Sequence, residues 1–313
     1  MSILDRCHFF DSRSVLVLVS CLGSSDNGFR KERTIAIVVT GATGNVGRPL
    51  VIQLQAAGAK VRAITRNPDT AGFPAGVEVV TSAFDALRGA SAVFLNSHAL
   101  IDQLGQIVET AKGAGVTRLV ALSAINADDD FSRQPSRVLG DRNKEVEQLA
   151  MESGLEWTSL RPNVFATMYV GAVWAAQIRA GDVVRGPYAR ACNSPIVESD
   201  IAAVATHAFL TDDLVGQRIP LTGPEAFTNA ELVEVIGEVL GRPLRYEEVP
   251  PEIVRENFIA AGVSAEFADA YNAFMQGTVE QPVFVAAGVE KVLGRSARSL
   301  AYWVADHREL FTA

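Results

Sequence analysis

The sequence is poor in cysteine and in positive charge, and each shortage argues against a class of protein. Its three cysteines, Cys7, Cys21 and Cys192, form no CxxC pair, which argues against a disulfide framework, a zinc knuckle and a thioredoxin-type site. The four histidines are isolated, without HxxxH spacing, so no metal site is predicted. Lys and Arg number 28 against 36 Asp and Glu, and the net charge of −8 argues against a nucleic-acid partner. A reducing, cytoplasmic compartment is expected.

The N-terminus lacks an apolar run long enough to cross a membrane. Residues 14–22 (SVLVLVSCL) fall well short of the ~20 residues that a transmembrane helix needs. Asp5 and Asp11 precede this run and no clean small-residue cleavage site follows it, so a signal peptide is a poor fit. We expect residues 1–34 to be a leader outside the fold, and we expect no membrane partner.

Apolar sequence is abundant, at 48% of 313 residues, and it alternates between two periodicities. The segment TIAIVVTG, from Thr34, is typical of a strand buried on both faces, and Val51, Leu54 and Ala57 follow at helical spacing. Further strands are predicted at 60–66, 77–80, 91–96, 118–123 and 156–162, with helices at 99–114 and 137–152. This alternation predicts a doubly wound α/β fold with a parallel sheet.

After about residue 165 the alternation becomes looser. Thr228 and Glu231 form a capping box before a helix that ends at Gly241, and residues 165–181, 251–277 and 298–310 are predicted to be mostly helical. We therefore expect a Rossmann core at 35–165. Residues 166–313 are expected to form a small, mostly helical substrate-binding cap with sheet-completing elements, not an independent domain.

Three glycines lie directly between the first predicted strand and the first helix: Gly41, Gly44 and Gly47. Glycine there permits a tight turn, a close approach to a pyrophosphate, and close packing of helix on strand. A tight strand-to-helix turn without a ligand is the simpler alternative, but the position before an amphipathic helix favours dinucleotide binding. The amides predicted to bind the anion belong to the start of the helix: Thr43, Gly44, Asn45 and Val46.

The end of the second predicted strand bears on the choice of cofactor. An acidic residue there would bind a ribose 2′-hydroxyl, whereas an arginine favours a 2′-phosphate. This chain has Arg66, followed by Asn67. NADP(H) is therefore preferred, with NAD(H) as the alternative, and a solvated arginine without a ligand is the simpler explanation.

Several motifs in order make the sequence resemble one family. TGATGNVG, ITRNP, LVALSAIN, SGLEWTSLRPNVF, VESDIAAVA and LTGPEAFTNAEL are similar to the NmrA-like group of atypical short-chain dehydrogenases/reductases, over about residues 35–310. The resemblance implies that the segment Pro162, Asn163 and Phe165 lines the nicotinamide pocket. The strand ends Leu95–Asn96–Ser97 and Ser123–Ala124 would line the cofactor cleft, which also follows from the rule that ligands bind at the carboxyl ends of parallel strands.

The chain departs from the wider superfamily in its acid–base residues. A tyrosine four residues before a lysine is usual there, but Gly140 stands four residues before Lys144, and none of the five tyrosines has such a lysine. The downstream sequence suggests that Asn143, not Lys144, occupies the family's lysine position. A second departure is the short segment TSAFDALRGA, which lacks the Gly-Asp that reaches the adenine in relatives.

Four residues remain as candidates for catalysis, each with a simpler alternative. Lys144 could hold a ribose or protonate a substrate, or pair with Glu147 or Gln148 on a helix face. His98 could act as an acid near neutral pH, or be a polar residue at the sheet edge. Ser123 could bind a carbonyl, or cap a turn. Asn143 is carried over by the resemblance alone.

Together these features predict an NADPH-dependent reductase. Hydride would pass to an apolar, electron-poor acceptor such as a quinone, enone or carbonyl, since reduced quinone oxygens can take protons from water and need no tyrosine. One alternative is a non-catalytic NADP(H)-sensing regulator that acts through a protein partner. Another is a cofactor-dependent isomerase or lyase in a biosynthetic pathway. A small apolar substrate is expected, and a homodimer or a protein partner is left open.

Overall fold

A seven-stranded parallel sheet lies at the centre of the structure, a computed structural model that describes residues 36–281 and 284–312. The predicted leader 1–34 lies outside these residues. The sheet has the order β3-β2-β1-β4-β5-β6-β9, which confirms the doubly wound fold. In chain order the strands are β1 (Ala36–Val39), β2 (Val61–Ile64), β3 (Glu78–Val80), β4 (Ala90–Asn96), β5 (Arg118–Leu122), β6 (Glu156–Pro162), β7 (Val183–Gly186), β8 (Cys192–Asn193), β9 (Gln217–Leu221), β10 (Phe227–Thr228) and β11 (Arg245–Glu248).

Helices cover both faces of the sheet. The α-helices are α1 (Gly47–Ala56), α2 (Ala83–Ala86), α3 (Ser97–Leu100), α4 (Leu104–Gly113), α5 (Pro135–Val138), α6 (Asn143–Glu152), α7 (Ala175–Ala180), α8 (Glu198–Leu210), α9 (Asn229–Leu240), α10 (Pro251–Ala260), α11 (Ala265–Glu280), α12 (Gly288–Leu293) and α13 (Leu300–Asp306). Buried residues of α1 and α8 share one hydrophobic cluster with the sheet, and those of α4 and α6 share another. The continuous apolar strands are thus buried on both sides, as a parallel sheet requires.

The C-terminal part of the chain contributes to both the sheet and the cap. Strand β9 completes the sheet beside β6, and α8 packs on it. The cap has its own hydrophobic cluster, centred on the fully buried Trp174 and Trp303. Two small sheets stand beside it, β7 with β11 and β8 with β10.

Three predicted helices are interrupted where the backbone leaves the helical region. The helix at 137–152 is broken between α5 and α6 by Gly140, whose φ is 108°. The helix at 99–114 is broken at Ile101 (φ 47°), and the one at 251–277 at Gly262 (φ 84°). Residues 165–181 are also not one α-helix, because a π-helical turn (Thr167–Ala172) precedes α7.

The helix predicted at the capping box is correct at both ends. The Thr228 hydroxyl accepts from the Glu231 amide while the Glu231 carboxylate accepts from the Thr228 amide, and Gly241 ends α9 in the left-handed conformation. No helix in the described part of the chain is long and apolar enough to span a bilayer.

Candidate functional site

The glycine loop between β1 and α1 is packed so closely that side chains would not fit. Gly41 has a φ of 62°, and a Cβ there would lie 2.8 Å from the Asn96 side-chain amide. A Cβ on Gly47 would lie 2.1 Å from the Gly41 carbonyl oxygen, and one on Gly44 would lie 3.2 Å from the same oxygen. Glycine is therefore required for the turn itself at Gly41 and for the contact of helix with strand at Gly47.

The N-terminus of α1 is open to receive an anion. Val46 at the N-cap has no side chain that caps the helix, and the first turn contains no acidic residue. Thr43, Gly44 and Asn45 are exposed, and within the described chain the amides of Thr43, Asn45 and Val46 donate no hydrogen bond. Free amides and a positive helix end are what a pyrophosphate needs, so the residues present fit a dinucleotide cofactor.

The end of β2 lies directly beside this loop. The Ala42 amide donates to the Ile64 carbonyl at 3.3 Å, which joins the glycine loop to β2 two residues before Arg66. Arg66 and Asn67 are exposed, and Arg66 forms no ion pair with a described residue. An exposed, unpaired guanidinium next to a pyrophosphate site fits a 2′-phosphate.

The carboxyl end of β4 meets the glycine loop through Thr40. The Thr40 hydroxyl donates to the Phe94 carbonyl and accepts from the Asn96 amide, both at 2.8 Å, which places the Asn96 side chain against Gly41. The two neighbours of Asn96, which are predicted to line the same cleft, have buried side chains. Leu95 is fully buried in the cluster shared with α4 and α6, and Ser97 is buried with its hydroxyl accepting from the Arg142 amide at 2.9 Å.

Ser123 and Asn143 are joined at the carboxyl end of β5. The Ser123 hydroxyl donates to the Asn143 carbonyl at 2.8 Å, and the Asn143 amide side chain donates to the Ser136 hydroxyl at 3.3 Å. Both side chains are buried. Ala124, the next residue, is half-buried. The two buried residues connect β5 with the start of α6, and the Ser123 hydroxyl and the Asn143 side-chain nitrogen both donate within the protein.

Lys144 has a different partner from the helix-face pairing considered above. Its Nζ lies 3.9 Å from Asp128, which is also bound by Arg161 at 2.9 Å. Asp128 is thus an ion-pair partner of two cations. No group of three or more His, Cys, Asp or Glu suited to a metal ion occurs among the described residues.

His98 has a carboxylate partner that the sequence did not reveal. Its Nδ1 lies 3.2 Å from Asp141 Oδ1, and the imidazole is 62% exposed. Burial raises the pKa of Asp141, while the charge of His98 and a hydrogen bond with Ser136 oppose this shift. Gly140 adjoins the pair, since a Cβ there would lie 3.8 Å from His98 Nδ1. No sequence signal links two residues that stand 43 positions apart.

The segment after β6 follows the surface of the sheet. Pro162 is buried, and its carbonyl accepts from the Ile125 amide at 2.9 Å. The Asn163 side chain accepts from the Val164 amide at 2.8 Å, which holds the turn that brings Phe165 against Ile196. Phe165 is half-buried against the cluster that also contains Val46 of the glycine loop. The chain thus brings the predicted pocket segment to the same side as the glycine loop.

A buried carboxylate lies at the centre of a network of ion pairs and hydrogen bonds near this edge of the sheet. Glu147 on α6 is bound by Arg161, Ser159 and Arg218. Burial alone would raise the pKa of Glu147, but hydrogen bonds from Arg161 and Ser159 outweigh it and lower the pKa to about 2. The network joins α6 to β6 and β9, and through Asp128 it reaches Lys144.

The large aromatic residues of the cap belong mainly to its hydrophobic core. Trp174, Tyr271 and Met275 are buried there. Phe258 makes edge contacts with Phe267 and Tyr271 at 5.7 and 5.2 Å between ring centres. A cavity of about 300 Å³ remains beside Trp174 and Tyr271.

Comparison with known proteins agrees with this geometry. The model of the NmrA-like family matches residues 33–306. The chain belongs to the NmrA-like family. Among relatives of this NmrA-like protein, a (4-alkanoyl-5-oxo-2,5-dihydrofuran-3-yl)methyl phosphate reductase of Streptomyces griseus is 34% identical, covering 88% of this chain and 99% of the relative. An NAD(P)H azoreductase of Xenophilus azovorans is 31% identical with the same coverage.

Solved structures are similar to this NmrA-like protein in fold. An NADPH-dependent quinone oxidoreductase from Escherichia coli, complexed with NADPH, has a TM-score of 0.74 at 22% identity and covers 86% of this chain and 99% of its own. The predictions of the family, of the Rossmann fold and of an NAD(P)H-dependent oxidoreductase are confirmed. The individual site residues stay predictions.

Proposed function

We propose that this protein is an NADPH-dependent reductase of small molecules that carry an electron-poor conjugated double bond, as in enones and quinones. The observation that carries the proposal is the open N-terminus of α1 beside the unpaired Arg66. Free amides and a positive helix end suit a pyrophosphate, and a guanidinium suits a 2′-phosphate, so NADP(H) is preferred over NAD(H).

The cofactor would be held along the edge where the strands end. The amides of the glycine loop would bind the pyrophosphate, and Arg66 the 2′-phosphate. Asn96, packed on Gly41, and the Pro162–Phe165 segment would border the nicotinamide half. When bound, the reduced nicotinamide would supply a hydride, that is, one proton together with two electrons.

The protein's part in the reaction would be to orient the acceptor and to deliver a proton. Reduced quinone oxygens take protons from water, but a carbon that has gained electrons from a conjugated system needs a positioned acid. His98 is exposed at the strand ends and its Nδ1 is held by Asp141, which leaves Nε2 as the donor atom. We assign His98 as the proton donor and Asp141 as the residue that positions it.

The relatives above 30% identity support a conjugated acceptor. One is named for the reduction of an oxo-dihydrofuran phosphate and the other for the reduction of azo compounds. Both groups accept electrons into a double bond, and neither requires the Tyr–Lys pair that is absent here. A small molecule is therefore the proposed partner.

The test is oxidation of NADPH, followed by the absorbance of the reduced nicotinamide, with a panel of quinones, unsaturated lactones, enones and simple ketones. We expect turnover with the conjugated acceptors and slow or no turnover with simple ketones. Tight NADPH binding without oxidation by any acceptor would contradict the proposal and favour the sensing regulator.

A further inference from the structure

A cavity of about 750 Å³ separates the segment before α6 from helix α11 of the cap. Phe131, Arg137 and Arg142 line one wall, and Glu266 and Asp269 of α11 line the other. None of the residues predicted from the sequence to bind cofactor or substrate lies in its lining. The cavity is large enough for a drug-sized molecule.

Arg142 places this cavity next to the proposed reaction site. Its backbone amide donates to the Ser97 hydroxyl at 2.9 Å, at the carboxyl end of β4. The next residue, Asn143, accepts from the Ser123 hydroxyl at 2.8 Å, at the carboxyl end of β5. The preceding residue is Asp141, the partner of His98. Two buried serines therefore hold Arg142 between the strand ends and the cap.

The guanidinium of Arg142 forms no ion pair within 4.0 Å among the described residues. Its charge does act on two nearby carboxyl groups, since it opposes the rise in the pKa of Asp141 and helps to lower the pKa of Glu145. Its Nη1 donates to the carbonyls of Arg137 and Asp141, at 3.1 and 2.8 Å. Arg137 differs, because Glu145 binds it through two hydrogen bonds of 3.0 and 2.6 Å and its guanidinium stacks over Phe131 at 3.7 Å. Arg142 is thus oriented by main-chain carbonyls while its other nitrogen donors are left for a ligand.

The acidic residues on the opposite wall of the cavity form no ion pair with the Arg142 guanidinium. Asp269 is bound by Arg255 at 2.6 Å, which offsets its charge. Glu266 is exposed in the first turn of α11, where water screens it. A planar guanidinium with free donors recognises phosphate and carboxylate groups better than any other side chain does.

We propose that this cavity is the site for an anionic group on the substrate, a phosphate or a carboxylate, with Arg142 as its main partner. The inference rests on the proposed reductase function and specifies its substrate class. The electron-poor double bond would lie at the strand ends, and the anionic substituent would extend toward α11. The acceptor is then apolar at one end and charged at the other.

The test compares three unsaturated lactones that differ in one substituent: phosphomethyl, carboxymethyl or hydroxymethyl. For Arg142→Gln we expect the KM of the matching anionic lactone to rise at least tenfold. The kcat of that lactone, the KM of the hydroxymethyl lactone and the KM of NADPH should each stay within twofold. The anionic lactone with the lower wild-type KM identifies the group, and Arg142→Lys should recover part of the affinity.

Arg88→Gln is the matched control, since Arg88 is 84% exposed and carries the same charge away from the cavity. The anion site would be overturned if Arg142→Gln changed the KM of the charged and the neutral lactones equally, or if it changed neither. Calorimetric titration of the anionic lactones into protein loaded with NADP⁺ separates the two proposals. If the anionic lactones bind more weakly to Arg142→Gln than to wild type but are not turned over, the anion site is retained and the reductase function is rejected. If they bind equally well to both proteins, the anion site is rejected.

Discussion

The imidazole of His98 and the carboxylate of Asp141 meet at 3.2 Å between the end of β4 and the segment before α6. The histidine is exposed, whereas the carboxylate is half-buried, and burial raises the pKa of Asp141. The contact holds the imidazole at the end of β4, where the proposed proton transfer would take place.

For His98→Gln we expect the turnover of an unsaturated lactone to fall about 100-fold, in the range of a lost general acid. Turnover of a quinone should fall less than threefold, because water can protonate the quinol. In Asp141→Asn, turnover of the unsaturated lactone should fall more than turnover of the quinone, since a carboxylate no longer holds the imidazole at 3.2 Å. Equal losses for both acceptors in both variants would reject His98 as the donor.

Lys144→Ala serves as the control for this assignment. Its ammonium is 3.9 Å from an exposed carboxylate and partly exposed itself, so we expect less than a tenfold loss of turnover with either acceptor. A loss above a thousandfold would instead make Lys144 the catalytic acid.

We expect Arg66 to set the preference for NADPH over NADH. For Arg66→Ala we expect the ratio of kcat/KM for NADPH to that for NADH to fall about 30-fold, equivalent to about 2 kcal/mol for a lost charge-assisted hydrogen bond. The measurement is steady-state kinetics with both cofactors at fixed acceptor. Arg88→Ala removes the same charge from an exposed surface position, and an equal fall in that variant would mean that overall charge, not Arg66, sets the preference.

Gly47→Ala tests the close packing of the glycine loop. The new Cβ would meet the Gly41 carbonyl at 2.1 Å, so the backbone must shift and take the anion-binding amides with it. We expect the KM of NADPH to rise more than tenfold and the free energy of unfolding to fall by about 1–3 kcal/mol. The control is Gly105→Ala in α4, where the added Cβ would meet no atom within 4 Å. We expect this variant to leave the KM of NADPH unchanged and not to lower the Tm.

The Glu147 carboxylate should make the free energy of unfolding depend on pH in the acid range. Its pKa of about 2, against an ordinary 4.5, means that its contribution is fully present above pH 4.5 and is lost as the pH falls toward 2. For Glu147→Gln we expect urea unfolding at pH 7 to show a loss of about 3 kcal/mol, because two arginines lose a buried partner. The difference in the free energy of unfolding between Glu147→Gln and wild type should become smaller as the pH falls from 4.5 to 2.

Glu109→Gln is the comparison for this effect, because Glu109 pairs with Lys112 on the exposed surface of α4. We expect it to change the free energy of unfolding by less than about 0.5 kcal/mol. A similar small value for Glu147→Gln would show that the buried network adds little stability.

The strands of the Rossmann core, from β1 to β6, and the glycine loop could be predicted from the sequence because their causes are local. Apolar runs of β-branched residues predict strands buried on both faces, and the glycine spacing predicts the turn between β1 and α1. The capping box at Thr228 was correct for the same reason. Helix interruptions were missed where a single residue such as Ile101 takes a positive φ, which helical periodicity does not indicate.

The sequence by itself determined the fold, the family and the place where the cofactor would bind, since each depends on patterns among neighbouring residues. The tertiary structure alone decided which polar side chains are free to act. Packing turned Ser97 and Ser123 inward, where they hold the segment before α6, and it set Asp141 against His98. Such pairings depend on how distant segments cross at the sheet edge, and the periodicity of a single segment carries no information about that crossing.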